Sequence, residues 1–136
     1  MDLQNAIQVA RHNHHTVLTT QRADGRPQMS PVVSAVDDDG RLLVSTREPA
    51  AKVRNLRRNP AVSVCVLPDT FFGEWAQLDG TAEIVPLPEA MELLEFVYRQ
   101  VSGEHPDWAE FREAMNAQRR VALRITVTAA GPTYSG

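Results

Sequence analysis

Ser45-Thr46-Arg47-Glu48-Pro49-Ala50-Ala51-Lys52-Val53-Arg54-Asn55-Leu56-Arg57-Arg58-Asn59-Pro60 is the stretch on which the reading of this chain turns. Two hydroxyl residues and an arginine end an extended run. Pro49 suits a first helical position, where its missing N–H is not needed, and Asn59-Pro60 stops the helix. Val53 and Leu56 give that helix, from Pro49 to about Arg58, a narrow apolar face. Unpaired N–H groups and a positive dipole end would gather behind Ser45, Thr46 and Arg47. Lys52 falls in the first turn, where a cation is unfavourable to the helix itself, so a nearby anion would offset that cost. The pattern predicts that Ser45, Thr46, Arg47 and Lys52 converge on a phosphate. Arg57 and Arg58 read instead as charges complementing the helix C-terminus. Lys52 is the only lysine among the 14 Lys and Arg residues.

On the N-terminal side, Leu3, Ala6, Ile7 and Ala10 form a one-sided helical stripe behind an Asp2 N-cap. Thr16 to Thr20 reads as a strand, Asp24-Gly25 as a hairpin turn, and Gln28 to Asp37 as the returning strand. The turn from Asp37 to Gly40 leads to a short strand over Arg41 to Thr46. On the C-terminal side, Ala61 to Leu67 alternates Val62, Val64 and Val66 against Ser63 and Cys65. After a loop from Pro68 to Gly73, Glu74 to Val85 is a strand with a bulge or bend at Gly80. Helices are expected over Pro88 to Val101, ended by Gly103, and from Pro106-Asp107 through Trp108, Phe111 and Met115. Val121 to Val127 makes a final strand, followed by a short polar tail. Hairpin-linked strands followed by a helical pair do not alternate as a parallel sheet requires. The class is α+β, mainly β, with about six strands able to close into a small antiparallel barrel and lose their edges.

The chain has 136 residues, a net charge of −3 and 43% hydrophobic residues, which suits one domain with its own core. That balance gives no support for nucleic-acid binding, and a basic patch on an acidic chain points to a discrete anionic ligand. No stretch approaches the ~18 apolar residues of a membrane helix and no secretion signal is evident, so a cytoplasmic location is expected. Cys65 is the one cysteine, which excludes an internal disulfide; it reads as a buried structural thiol.

His12, His14 and His15 cluster at the end of the first helix without metal-ligand spacing or carboxylate partners, so no metal site is expected. His105 reads as a structural turn residue. Glu92 and Glu95 lie on a solvated helix side and do not suggest a hydrolytic carboxylate pair. Neither Gly-x-Ser-x-Gly, nor a P-loop, nor Gly-x-Gly-x-x-Gly occurs. Any hard chemistry would then belong to a cofactor. Trp75, beside Phe71-Phe72-Gly73, could lie against a planar ring or serve as a core or interface aromatic.

Gly25-Arg26-Pro27-Gln28-Met29-Ser30-Pro31, together with Ser45-Thr46-Arg47 and Lys52-x-Arg54-Asn55-Leu56-Arg57-Arg58-Asn59-Pro60, resembles the pyridoxamine 5′-phosphate oxidase-like split β-barrel superfamily. Gly103-Glu104-His105-x-Asp107-Trp108 and Arg119-Arg120-Val121 look like its short actinobacterial members that use the deazaflavin coenzyme F420. The resemblance covers nearly the whole chain. It implies a six-stranded antiparallel split β-barrel with flanking helices, and a homodimer with cofactor sites at the subunit interface. It implies phosphate contacts from Ser45, Thr46, Arg47 and Lys52, and ring-side contacts from Gln28, Met29 and Ser30. Trp75 would lie near the cofactor, with the partner subunit as one source, and Arg54 joins the set on the same resemblance.

The implied activity is hydride transfer from reduced F420 to an unsaturated small-molecule acceptor such as a quinone or enone, with no side chain named as catalytic. The rivals are an FMN-binding oxidoreductase on the same fold, and a non-catalytic carrier of F420, flavin or haem. The Arg- and His-containing C-terminal motifs of true pyridoxamine phosphate oxidases are absent before Tyr134-Ser135-Gly136, which argues against vitamin B6 oxidation.

Overall fold

The structure is a computed structural model and describes residues 1–132; the expected polar tail otherwise lies outside the described residues. Helix α1 (Leu3–His12) is followed by strands β1 (His15–Gln21), β2 (Pro27–Val36) and β3 (Leu42–Arg47). Helix α2 (Ala51–Arg58) leads to β4 (Ala61–Leu67) and β5 (Ala76–Val85), then α3 (Ala90–Ser102), α4 (Trp108–Ala117) and β6 (Arg120–Gly131). All neighbouring strands are antiparallel and close a barrel in the order β1-β2-β3-β6-β5-β4. The expected six-stranded barrel with four flanking helices is what forms.

Alternation fills it. Leu18, Val36, Leu42, Val44, Val62, Val64, Val66, Leu78, Leu123 and Ile125 share one buried cluster inside the barrel. Ala6, Val9 and Ala10 of α1 and Leu56 of α2 belong to the same cluster. Helix α1 meets the Val36–Gly40 end, where Arg11 Nη1 donates to the Asp37 carbonyl at 3.3 Å. Helix α2 closes the opposite end, beside Thr20 and Gln21. Outside the barrel, α3 and α4 cover Leu43, Val85 and Ala122.

Asp2 caps α1, accepting from the Asn5 N–H at 2.8 Å, and Asp107 caps α4 through the Glu110 N–H at 3.2 Å. At Gly80 the β5–β6 register shifts, and a Cβ there would strike the Thr126 carbonyl, which explains why glycine occupies the bulge. The last strand is longer than the alternation suggested, reaching Gly131. The helix expected from Pro49 begins at Ala51 instead. The Ala50 N–H donates to the Arg47 carbonyl at 3.1 Å, and that turn takes up Pro49 before the helix starts.

Cys65 also departs from expectation. It is half-buried on the outer face of β4, because its neighbours Val64 and Val66 take the inner positions. Glu95 is half-buried and pairs with Arg112 at 2.8 Å between α3 and α4, so it does not lie on a solvated side.

Candidate functional site

The barrel wall is split on one side. Strands β2 and β3 pair only through Ser34–Val36 and Leu42–Val44. Gln28 to Val33 pair with β1 alone, and Ser45 to Arg47 with β6 alone. The gap is at the end of the barrel closed by α2.

Arg47 and Arg120 are direct cross-strand partners across β3 and β6. Two cations set opposite each other are unfavourable by themselves. Lys52, half-buried in the first turn of α2, lies within electrostatic reach of Arg120. Burial first, and then the Arg120 guanidinium, hold the Lys52 ammonium below the usual lysine range. Burial, followed by Arg47, likewise lowers Arg120. Among the described residues no carboxylate forms an ion pair with Arg47, Lys52 or Arg120. Glu48, the acid nearest in sequence, is committed elsewhere: it takes Arg119 at 2.9 Å and Arg57 at 3.7 Å. Three clustered cations without counter-charge, on a chain of net charge −3, are suited to hold an anion.

Glu48 also assembles that cluster. Its N–H donates to the Arg119 carbonyl at 2.9 Å, and its carboxylate accepts from Arg119 Nη2, so the loop before α2 is tied to the turn before β6. Arg119 has φ of 54°, a left-handed conformation uncommon for an arginine, at the point where α4 turns into β6. The next residue is Arg120.

The rest of the basic motif is structural. Asn55, only 8% exposed, donates from Nδ2 to Thr20 Oγ1 at 3.1 Å. Arg58 Nη2 donates to the Gln21 carbonyl at 2.8 Å and to Asn55 Oδ1 at 3.1 Å. Asn59 Nδ2 donates to Gln21 Oε1 at 2.7 Å. These bonds pin α2 over the barrel end and so fix where Lys52 stands. Arg57 and Arg58 thus have protein partners of their own, beyond the helix-end role expected of them.

The other expected residues divide by face. Ser45 and Arg47 alternate with Thr46, which turns inward with Leu42 and Val44 and is 4% exposed. On β2, Met29 is outward and exposed, whereas Gln28 and Ser30 lie on the side of Val32 and Val36. Gln28 Nε2 donates to the Met29 carbonyl at 3.2 Å, and Gln28 Oε1 accepts from Thr20 Oγ1 at 3.3 Å. Ser30 Oγ is buried and has no hydrogen-bond partner. Arg54 is exposed on α2 and has no ion-pair partner among the described residues.

Trp75 is not brought to the cation cluster within one chain. It precedes β5, whose far end, Val85, pairs with Ala122 near Arg120, so ten residues, roughly 30–35 Å of strand, separate Trp75 from that end. Trp75 instead joins Cys65, Leu67, Phe71, Phe72 and Met1 around an open cleft of about 830 Å³. Phe71 and Phe72 are 75% and 92% exposed beside it. Burial pushes the Cys65 thiol up from its ordinary pKa.

Three of the four histidines have hydrogen-bond partners. His12 Nδ1 meets the Gln8 carbonyl and His14 Nδ1 the Ser34 carbonyl, each at 2.8 Å. His105 Nδ1 accepts from the Asp107 N–H at 2.9 Å and lies among Tyr98, Trp108 and Phe111.

Arg120 is the residue that sequence reasoning missed as part of the site. Its signals were the basic pair Arg119-Arg120 opening the last strand and the place of Arg119-Arg120-Val121 in the family resemblance. As a donor set, Arg47, Lys52 and Arg120 with the Ser45 hydroxyl suit a phosphate-bearing cofactor.

Comparisons with known proteins agree with this fold. A conserved hypothetical protein of Mycobacterium tuberculosis, Rv2991, is 24% identical over 100% of this chain and 92% of its own, with a TM-score of 0.78. A protein named F420 reductase is 25% identical over 91% of this chain and 94% of its own, with a TM-score of 0.72. HupZ of Group A Streptococcus is 19% identical over 98% of this chain and 94% of its own, with a TM-score of 0.68. The sequence model of pyridoxamine 5′-phosphate oxidase matches residues 3–134. With its six-stranded split barrel and a basic motif that anchors α2 over the open end, the chain belongs to the pyridoxamine 5′-phosphate oxidase family.

Proposed function

We propose that this chain is an F420-dependent oxidoreductase that passes a hydride between the reduced deazaflavin and a small unsaturated acceptor of the quinone or enone type. The observation that carries this reading is the uncompensated cluster of Arg47, Lys52 and Arg120 at the barrel split. The similarity to a protein named F420 reductase supports the choice of cofactor over FMN.

Arg47 and Lys52 hold the cofactor phosphate, with the Ser45 hydroxyl on their face; Thr46, turned inward, contributes from its backbone. Gln28, Met29 and Ser30 on the unpaired edge of β2 flank the ring, and Arg54 adds positive charge on the solvent side of α2. Trp75 reaches the same site from a second copy of the chain, since its own copy holds it at the other end of the barrel; the working unit is therefore a homodimer. When bound, the deazaflavin supplies the hydride chemistry. The protein orients ring and acceptor and keeps water away. No side chain is assigned as an acid or base.

Fluorescence titration with F420 and FMN, followed by turnover of reduced F420 with quinones and enones, tests the proposal. F420 binding with turnover is expected. Tight FMN binding without F420 binding would contradict it, and F420 binding with no turnover across the panel would make the chain a cofactor carrier. Among the described residues no helix is long and apolar enough to cross a membrane.

A further inference from the structure

A cavity of about 290 Å³ lies between the barrel and the α3–α4 pair, beside the cation cluster. Its body is apolar, formed by Leu94, Val97, Tyr98 and Phe111, and Ser45 and Arg120 stand among its walls. The Arg120 guanidinium donates from Nε to Gln118 Oε1 at 2.8 Å. No other side-chain acceptor among the described residues takes its remaining N–H donors. We propose that this cavity is a second ligand site, which takes a ring-sized apolar or conjugated molecule bearing a carboxylate, with Arg120 holding the acid group.

The charges favour a second anion. Arg47, Lys52 and Arg120 together carry three positive charges. A phosphate monoester brings about −1.5 to −2 and a diester only about −1. At least about one positive charge is left over when the phosphate is bound, and it is half-buried, where an unmatched charge is costly. Of the three, Arg120 is the one that lines the apolar cavity. A ligand that matched only the cavity would leave the guanidinium unpaired, and one that matched only the guanidinium would leave the aromatic walls wet. A compact conjugated acid satisfies both. The inference rests on assigning Arg47 and Lys52 to the phosphate.

The test uses the full chain with 2-naphthoate and its neutral isostere 2-naphthamide as fluorescent probes, and F420 titrated separately. Naphthoate is expected to bind at least about tenfold more tightly than the amide, the scale of a hydrogen bond to a charged group. Arg120→Gln should bring naphthoate down to the amide's affinity. Ser102→Trp, at an exposed position on the cavity rim, should weaken both probes and leave F420 affinity unchanged. Lys52→Ala should weaken F420 by a larger factor than naphthoate, because Lys52 does not line this cavity. Equal affinity for naphthoate and naphthamide, or naphthoate binding indifferent to Arg120→Gln and Ser102→Trp, would overturn the site. Failure of the phosphate assignment has a different signature: F420 affinity indifferent to Lys52→Ala.

Discussion

Replacing Asn55 by alanine separates the two halves of the basic motif. Asn55 bonds the buried Thr20 hydroxyl at 3.1 Å and receives Arg58 at 3.1 Å. Thr20 is 1% exposed and keeps its own bond to Gln28 Oε1, but its oxygen loses the donor that the amide supplied. A buried hydrogen bond that leaves one partner unsatisfied costs about 1–3 kcal/mol. The Arg58 guanidinium is exposed and returns to water, which adds about 0.5 kcal/mol at most. Alanine recovers about 0.5 kcal/mol in helix propensity. The net expectation is a loss of about 0.5–3 kcal/mol, or roughly 2–10 °C in Tm for a domain of this size. Urea denaturation with linear extrapolation measures it, with Arg54→Ala on the exposed side of the same helix expected to stay within about 0.5 kcal/mol. Once folded, Asn55→Ala should bind cofactor nearly as well as the native chain. A stability change below about 0.5 kcal/mol, or a large loss of cofactor affinity at unchanged stability, would refute the structural role given to Asn55.

Lys52→Met should leave the ligand-free protein at least as stable as the native chain near neutral pH, read by thermal melts. The folded pKa of Lys52 lies below its unfolded value, so the unfolded chain holds the extra proton between the two. Native stability therefore rises with pH through that alkaline window, and Lys52→Met should lose this rise. Gly80→Ala should cost on the order of 1–3 kcal/mol by urea denaturation, because its Cβ would press on the Thr126 backbone, with the Thr126 carbonyl carbon only 2.9 Å away. Cys65, with its thiol pushed up by burial, should react with iodoacetamide more slowly than free cysteine at neutral pH; faster reaction would place it in a different environment.

Local patterns were legible wherever the physics is local. Val62, Val64 and Val66 alternate with Ser63 and Cys65, and burial in β4 follows that alternation residue by residue. Reading Cys65 as buried ignored the same rule, which puts it on the outer face. The period of two also prevents Ser45, Thr46 and Arg47 from sharing one face, so Thr46 points away from its neighbours. Pro49 was misplaced because the turn that takes it up is held by Arg47 and by Arg119, a residue far along the chain. Arg120 was hidden for the same reason: it meets Arg47 only through the pairing of β3 with β6. Trp75 carried a recognisable aromatic signal, but its position depends on the direction of β5, which no local pattern encodes.

The central proposal, that Arg47 and Lys52 form the seat of a deazaflavin phosphate, is tested most directly by the F420 dissociation constant of the native chain and of Lys52→Ala. The account predicts tighter binding of F420 than of FMN, and a loss of about 1.5–3 kcal/mol in Lys52→Ala with the melting curve still cooperative. Undiminished F420 affinity in that variant, or FMN bound tightly where F420 is not, would contradict it.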